Sequence, residues 1–216
     1  VAKLKEFDKV LIKGSGADLS VYNYSPEKIT NNVKIVMACR LLKEKGVYQY
    51  IEAARIVKEQ YPNTEFLLVG TPDLENPNTV KQIEIDSWVN KNLITYLGHR
   101  SDIPAVFADA NIVCLPSFYG EGVPKVLIEA AACGRSIVTT DNPGCRDAVI
   151  EGETGLTVPI RDARALAIAI QKLISEPELR VSMGNKARAF AEAEFDVDSV
   201  VSKHLDIYVN LIGKVQ

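Results

Sequence analysis

Short runs of β-branched and other apolar residues return along this chain at regular intervals, at positions 33–38, 64–69, 93–97, 112–115, 136–139 and 155–158. Between them, and after the last, the apolar positions switch to helical spacing, at 47–60, 79–90, 103–109, 124–133, 145–151 and 163–175. Strands alternating with helices are the pattern of βαβ units, in which each helix carries the chain back so that the next strand runs parallel. Phe66-Leu67-Leu68-Val69 is apolar without alternation, as a strand covered on both faces requires. The expected class is α/β, a doubly wound, Rossmann-like parallel sheet. Ligands of such sheets bind outside the carboxyl ends of the strands, so chemistry is expected on the loops that follow them.

Two more helical patterns, at 178–193 and 197–212, have no strand between them and are expected to pack outside the sheet as extra C-terminal helices. The Gly-rich stretch Lys13-Gly14-Ser15-Gly16-Ala17-Asp18 lies well before the first strand and suits an entry loop or interdomain linker.

The chain has 216 residues, enough for one generous domain, and at 47% hydrophobic and 25% charged it can bury a real core. Its 25 basic and 28 acidic side chains leave a net charge of −3, the opposite of a nucleic-acid-binding footprint. Cys39, Cys114, Cys133 and Cys145 never approach CxxC spacing, and with only His99 and His204 to help, a metal site is not expected. Buried, reduced thiols point to the cytoplasm. No apolar stretch approaches the roughly 20 residues that span a bilayer, and the opening residues lack a signal-peptide core. A start without Met is expected of a fragment.

After the first strand, Cys39-Arg40-Leu41-Leu42-Lys43-Glu44-Lys45-Gly46 leads into a helix. Arg40 can fork onto two phosphate oxygens while Lys45 supplies a mobile point charge, beside the positive end of a helix dipole. That division suits a diphosphate, although two cations alone fit a solvated loop equally well. After the fourth strand, Pro116-Ser117-Phe118-Tyr119-Gly120-Glu121-Gly122-Val123-Pro124 runs into the Ala-rich helix that carries Glu129. Gly120 and Gly122 let backbone approach a ligand, and Pro124 suits the first turn of a helix whose N–H groups face the crevice. With a helix start near Val123, Glu129 lies about two turns in, too deep to reach the mouth and able to reach only sideways. A carboxylate there can accept two hydrogen bonds from a vicinal diol such as a ribose. Taken singly, Glu121 and Glu129 are also readable as ordinary helix-start acids.

Together these residues resemble a known family. Arg40 with Lys45-Gly46, Glu121 and Glu129 with seven residues between them, and Gly152-Glu153-Thr154-Gly155 before the last strand resemble the retaining GT-B glycosyltransferases of family 4. Gly98-His99-Arg100-Ser101-Asp102-Ile103 and Asp141-Asn142-Pro143-Gly144-Cys145-Arg146-Asp147 are similar to its bacterial branch, which adds UDP-activated hexoses or N-acetylhexosamines to lipid-linked glycans and polysaccharides. The resemblance implies that Arg40 and Lys45 bind the donor diphosphate, that Glu121 contacts the transferred sugar, and that Glu129 binds the ribose hydroxyls. It makes Arg100 a candidate to stack on uracil, gives the backbone N–H groups of Gly122 and Val123 to sugar and phosphate, and leaves His99 as a structural or rim residue. Many relatives carry Phe-Gly after the first Glu-Gly, whereas Val123-Pro124 stands here and removes one donor.

In domain terms the resemblance implies the C-terminal, donor-binding half of a GT-B fold. Residues 1–20 would be the linker and end of a missing N-terminal domain, 21–195 the donor domain, and 196–216 a crossover helix with an exposed apolar face. The missing half would hold the glycan or lipid-linked acceptor and any peripheral attachment to the inner face of the membrane. The implied reaction is hexosyl transfer from a UDP-sugar with retention, without metal or cofactor, and the fragment alone would be inactive. Two other readings stay open on the residues. One is a non-catalytic nucleotide-sugar-binding module. The other, a dinucleotide-binding oxidoreductase, lacks its fingerprint: no GxGxxG follows the first strand. Paired carboxylates of a glycosidase would need Glu129 across the scissile bond, where its depth argues against it.

Overall fold

The computed structural model describes residues 12–30, 32–120 and 122–213. Its strands are β1 (Lys34–Ala38), β2 (Glu65–Val69), β3 (Thr95–Gly98), β4 (Ile112–Leu115), β5 (Ser136–Thr140) and β6 (Gly155–Val158). They form one six-stranded sheet in the order β3-β2-β1-β4-β5-β6, every pair parallel. β1, flanked by β2 and β4, sets Ile35 against both Phe66 and Ile112. The order reverses there: after β3 the chain returns past β1 to lay down β4, opening a crevice at the carboxyl ends of β1 and β4.

The helices are α1 (Val47–Gln60), α2 (Gln82–Asn90), α3 (Ile103–Ala108), α4 (Lys125–Ala132), α5 (Ala163–Ser175), α6 (Pro177–Glu194) and α7 (Val197–Gly213). α1 packs against α5, and α4 against α6. Right-handed crossovers place the first pair on one face of the sheet and the second on the other. The strand interiors are closed from water: Ile35, Val36, Met37, Phe66, Leu68, Ile112, Val113, Ile137 and Val138 have no exposure. Cys114, Cys133 and Cys145 are buried and Cys39 half-buried, all four reduced. Burial pushes the Cys133 thiol up to about 11. No helix among the described residues is long and apolar enough to cross a membrane.

Three expectations need correction. The helix at 145–151 is a single 3₁₀ turn, Arg146–Ala148, after which Val149 is extended; Gly144 is left-handed just before it and Gly152 just after, and Glu151 bridges to Gly155. α2 begins at Gln82, not 79, because Thr79 pairs with Leu42 in an antiparallel bridge and its hydroxyl accepts from the Asp73 N–H at 2.8 Å. α4 begins at Lys125, because Pro124 caps it in an extended conformation instead of occupying its first turn.

The segment ahead of β1 is fastened to the domain at both ends. Ala17 bridges Asp196 at the junction of α6 and α7, its N–H donating to Phe195 O at 2.8 Å and its carbonyl accepting from Val197 N at 3.1 Å. Further on, the Glu27 carboxylate lies in the interior with Arg180 Nε and Asn111 Nδ2, each at 2.7 Å, and Arg135 donates to Ser25 O. Beyond Val200, the apolar residues Val201, Leu205, Tyr208, Val209, Leu211 and Ile212 of α7 are exposed.

Candidate functional site

At the carboxyl edge of the sheet, where the strand order reverses, lies a crevice of about 300 Å³. Three successive strands supply one wall through the residues that end them: Ala38, Cys39 and Arg40 after β1, Val69, Gly70 and Thr71 after β2, and His99 and Arg100 after β3. Ile103 of α3 and Val126 and Glu129 of α4 complete it. Gly70 has φ 134°, and a β-carbon there would lie 2.0 Å from Cys39 O. Its N–H donates to Gly98 O at 2.8 Å and its carbonyl accepts from the Tyr96 hydroxyl at 2.9 Å, tying the ends of β2 and β3 together.

Arg40 and Glu129 line this one cavity from different elements. Arg40 is exposed, its guanidinium open to an incoming anion. Glu129 is only 8% exposed. The late start of α4 makes it the fifth helical residue, about 6 Å along the axis from Lys125. Its carboxylate therefore lines the crevice directly, and the two-turn depth expected of it is corrected. Burial pushes its pKa above the ordinary carboxylate range, and the Tyr22 phenol and the Lys125 ammonium pull it part of the way back down. Lys125 Nζ lies 3.7 Å from Glu129 Oε1.

Lys45 is brought to the adjoining loop instead of the cavity wall. The 3₁₀ turn Lys43–Lys45 is stitched to the loop after β4, where Glu44 O accepts from Phe118 N at 2.9 Å and from Ser117 Oγ at 3.3 Å. Lys45 is buried, its Nζ 5.6 Å from the centre of the Tyr119 ring. The same loop is braced from behind by Thr140 Oγ1 donating to Ser117 O and by Asn142 Nδ2 donating to Tyr119 O at 2.7 Å. Gly122 is exposed with open space where a β-carbon would stand, and Val123 is half-buried against Gly14. Glu121 lies outside the described residues. Among the described residues no side chain caps α4 or α1, which leaves the positive ends of both helices at this edge.

Arg100 stands at the rim, but its fork is engaged: Nε reaches Asp102 Oδ1 at 2.7 Å and Nη2 reaches Oδ2 at 2.5 Å. A base stacked on Arg100 would meet a guanidinium whose charge is already paired. His99, beside it, also lines the crevice. One position that shapes the crevice, Gly70, is not among the expected site residues; its only signal is a glycine closing an apolar strand.

Residues 24–190 match the family described as Glycosyl transferases group 1. The chain is 31% identical, over 98% of its length, to the N,N'-diacetylbacillosaminyl-diphospho-undecaprenol alpha-1,3-N-acetylgalactosaminyltransferase of Campylobacter jejuni, covering 53% of that protein. It is 29% identical over 86% of its length to the capsular polysaccharide biosynthesis glycosyltransferase CapM of Staphylococcus aureus, covering 48%. It superimposes on the crystal structure of Anabaena HepE in complex with UDP with a TM-score of 0.80 at 25% identity, covering 90% of this chain and 56% of that one. The chain thus spans about half the length of the curated relatives it matches.

Proposed function

The chain belongs to the group 1 glycosyl transferases, and on that premise we propose that it is the donor-binding domain of a retaining, family 4 enzyme that transfers a hexose or N-acetylhexosamine from a UDP-sugar to a glycan or lipid-linked acceptor. The observation that carries this reading is the shared cavity at the strand-order reversal, into which Arg40 brings a fixed cation and Glu129 a buried acceptor. A nucleoside diphosphate needs both: a charged fork for the phosphates and a carboxylate for the paired ribose hydroxyls. The relatives that carry UDP in their solved structures support uracil as the base.

In this reading the C–O bond between the anomeric carbon and the β-phosphate breaks as the acceptor oxygen attacks. The charge that develops on the diphosphate is met by Arg40, by Lys45 and by the uncapped N–H groups of α1 and α4, already oriented before the reaction begins. The leaving phosphate takes the acceptor's proton. Glu121 is assigned to the transferred sugar, and the backbone N–H groups of Gly122 and Val123 to sugar and phosphate. This assignment gives the work to cationic side chains and backbone, with no metal or cofactor. We place the protein in the cytoplasm, assign the acceptor and any contact with the membrane surface to the portion of such proteins outside this span, and expect the chain by itself to bind donor without turning it over.

Calorimetric titration with UDP, with GDP, ADP and NAD⁺ as controls, tests the proposal. UDP should bind without added metal, and Arg40→Ala should weaken it by about 10- to 100-fold, the loss of a charge-assisted hydrogen bond. Preferential binding of NAD⁺ would overturn it in favour of an oxidoreductase domain.

A further inference from the structure

The loop after β4 is held at three successive residues. Ser117 O accepts from Thr140 Oγ1 at the end of β5, and Tyr119 O accepts from Asn142 Nδ2 at 2.7 Å. Phe118, between them, donates its N–H to Glu44 O at 2.9 Å, and its ring lies under Arg161, whose guanidinium carbon stands 4.5 Å from the ring centre. Arg161 follows β6, two strands away from β4 in the sheet, so this contact spans the end of β5. Asp141 N donates to Val158 O at 2.8 Å, which ties the ends of β5 and β6 together beneath it.

The backbone at Arg161 is strained. Its φ is 60°, in the left-handed region, where a β-carbon crowds the carbonyl oxygen and glycine is favoured. Among the described residues, two non-glycines stand there. The other is Asn92, φ 54°, and the short polar side chain of asparagine suits that conformation where arginine's does not. A glycine at 161 would relieve the backbone. What the arginine offers in return must come from its side chain, and the Phe118 ring is what that side chain meets.

We infer that Arg161 is a positioning residue for donor binding, stacking on Phe118 to hold residues 117–119 in one arrangement, so that Tyr119 sets Lys45 in place before the diphosphate arrives. This deepens the reading of Lys45 given above and rests on it. The two aromatic residues are neighbours, and each carries a cation on its face: Arg161 on Phe118 from the β6 side, and Lys45 Nζ on Tyr119 at 5.6 Å from the β1 side. Phe118 is half-buried and Tyr119 exposed, so packing alone does little to fix either ring. Without Arg161 the loop populates other arrangements, and only the fraction with Lys45 correctly set binds the diphosphate at full strength. Because Arg161 is exposed, the effect on binding is bounded by the worth of one exposed cation–ring contact.

The test is a double-substitution cycle on UDP affinity, with thermal unfolding of each variant as the control for folding. Arg161→Gly removes the side chain and suits the left-handed backbone, so the melting temperature should not fall. UDP affinity should nonetheless drop about threefold, the scale of one exposed cation–ring contact. Arg161→Lys keeps a cation on the same backbone and should recover part of that loss. In Phe118→Leu the loss should already be present, and adding Arg161→Gly to it should cost nothing more. Unchanged UDP affinity in Arg161→Gly, or an equal loss with and without the Phe118 ring, would overturn the positioning role alone. Unchanged UDP affinity in Lys45→Ala would instead overturn the diphosphate role of Lys45 beneath it.

Discussion

Gly46 sits so close to Pro116 that a β-carbon on it would fall 2.1 Å from the Pro116 carbonyl oxygen. This contact joins the loop after β1 to the loop after β4, and so brings Lys45 of the first beside the Tyr119 ring of the second. Gly46 is also left-handed, φ 83°, closing the Lys43–Lys45 turn and opening α1 in one step. Gly46→Ala meets both demands at once. It should lower stability by about 2–5 kcal/mol, from the strained backbone and the displaced loop together. Denaturant unfolding measures the loss. Titration at a temperature where the variant is folded should also show weakened UDP, because Lys45 moves with the turn.

Gly70 poses a similar constraint on the floor of the crevice. With φ 134° and Cys39 O 2.0 Å from any β-carbon, Gly70→Ala must push β1 and β2 apart at the end where Arg40 begins. Loss of UDP binding with the secondary structure intact, read by circular dichroism, is the expected outcome. A variant that binds normally would show that Arg40 is placed independently of β2.

Glu129 sets stability against binding. Its pKa in the folded protein is raised, first by burial, above the value of about 4.5 in the unfolded chain. Such a group favours the fold when protonated, and that contribution is lost as pH rises through its folded value. At pH 7 the buried, ionised carboxylate is therefore a cost. Glu129→Gln should raise the melting temperature at pH 7, the gain should shrink toward pH 4, and UDP should bind about tenfold more weakly. A melting temperature lowered at pH 7 would mean that Tyr22 and Lys125 outweigh burial.

The frame of this protein is legible in its sequence because buried parallel strands must be apolar on both faces, and runs such as Ile35–Ala38 and Phe66–Val69 announce themselves without help from the rest of the chain. The cations after β1 are legible for the same reason: the fold class says where to look. What escapes is whatever depends on which groups meet in three dimensions, near or far along the chain. The pattern at 145–151 is helical in spacing, but the bridge between Glu151 and Gly155 and the left-handed glycines on either side leave room for one 3₁₀ turn. Arg100 reads as a free cation until Asp102 is seen in its fork.

Glu27 and Arg180 make a last case, remote from the crevice. Their side chains are 4% and 1% exposed, with Nε 2.7 Å from Oε1. Asn111, at the amino end of β4, donates to the same oxygen, and Arg180 Nη1 donates to Leu173 O at 2.6 Å. This network holds the segment before β1 against α6 at the edge of the sheet opposite the site. Glu27→Ala removes one charge and strands the other in the interior, a loss of about 3–5 kcal/mol. Replacing both partners with apolar residues of similar volume, Glu27→Leu with Arg180→Met, should recover most of that, because desolvation of the pair is then no longer required. UDP affinity at a temperature where each variant is folded should be unchanged in both. If Glu27→Ala weakened UDP, the network would belong to the site after all.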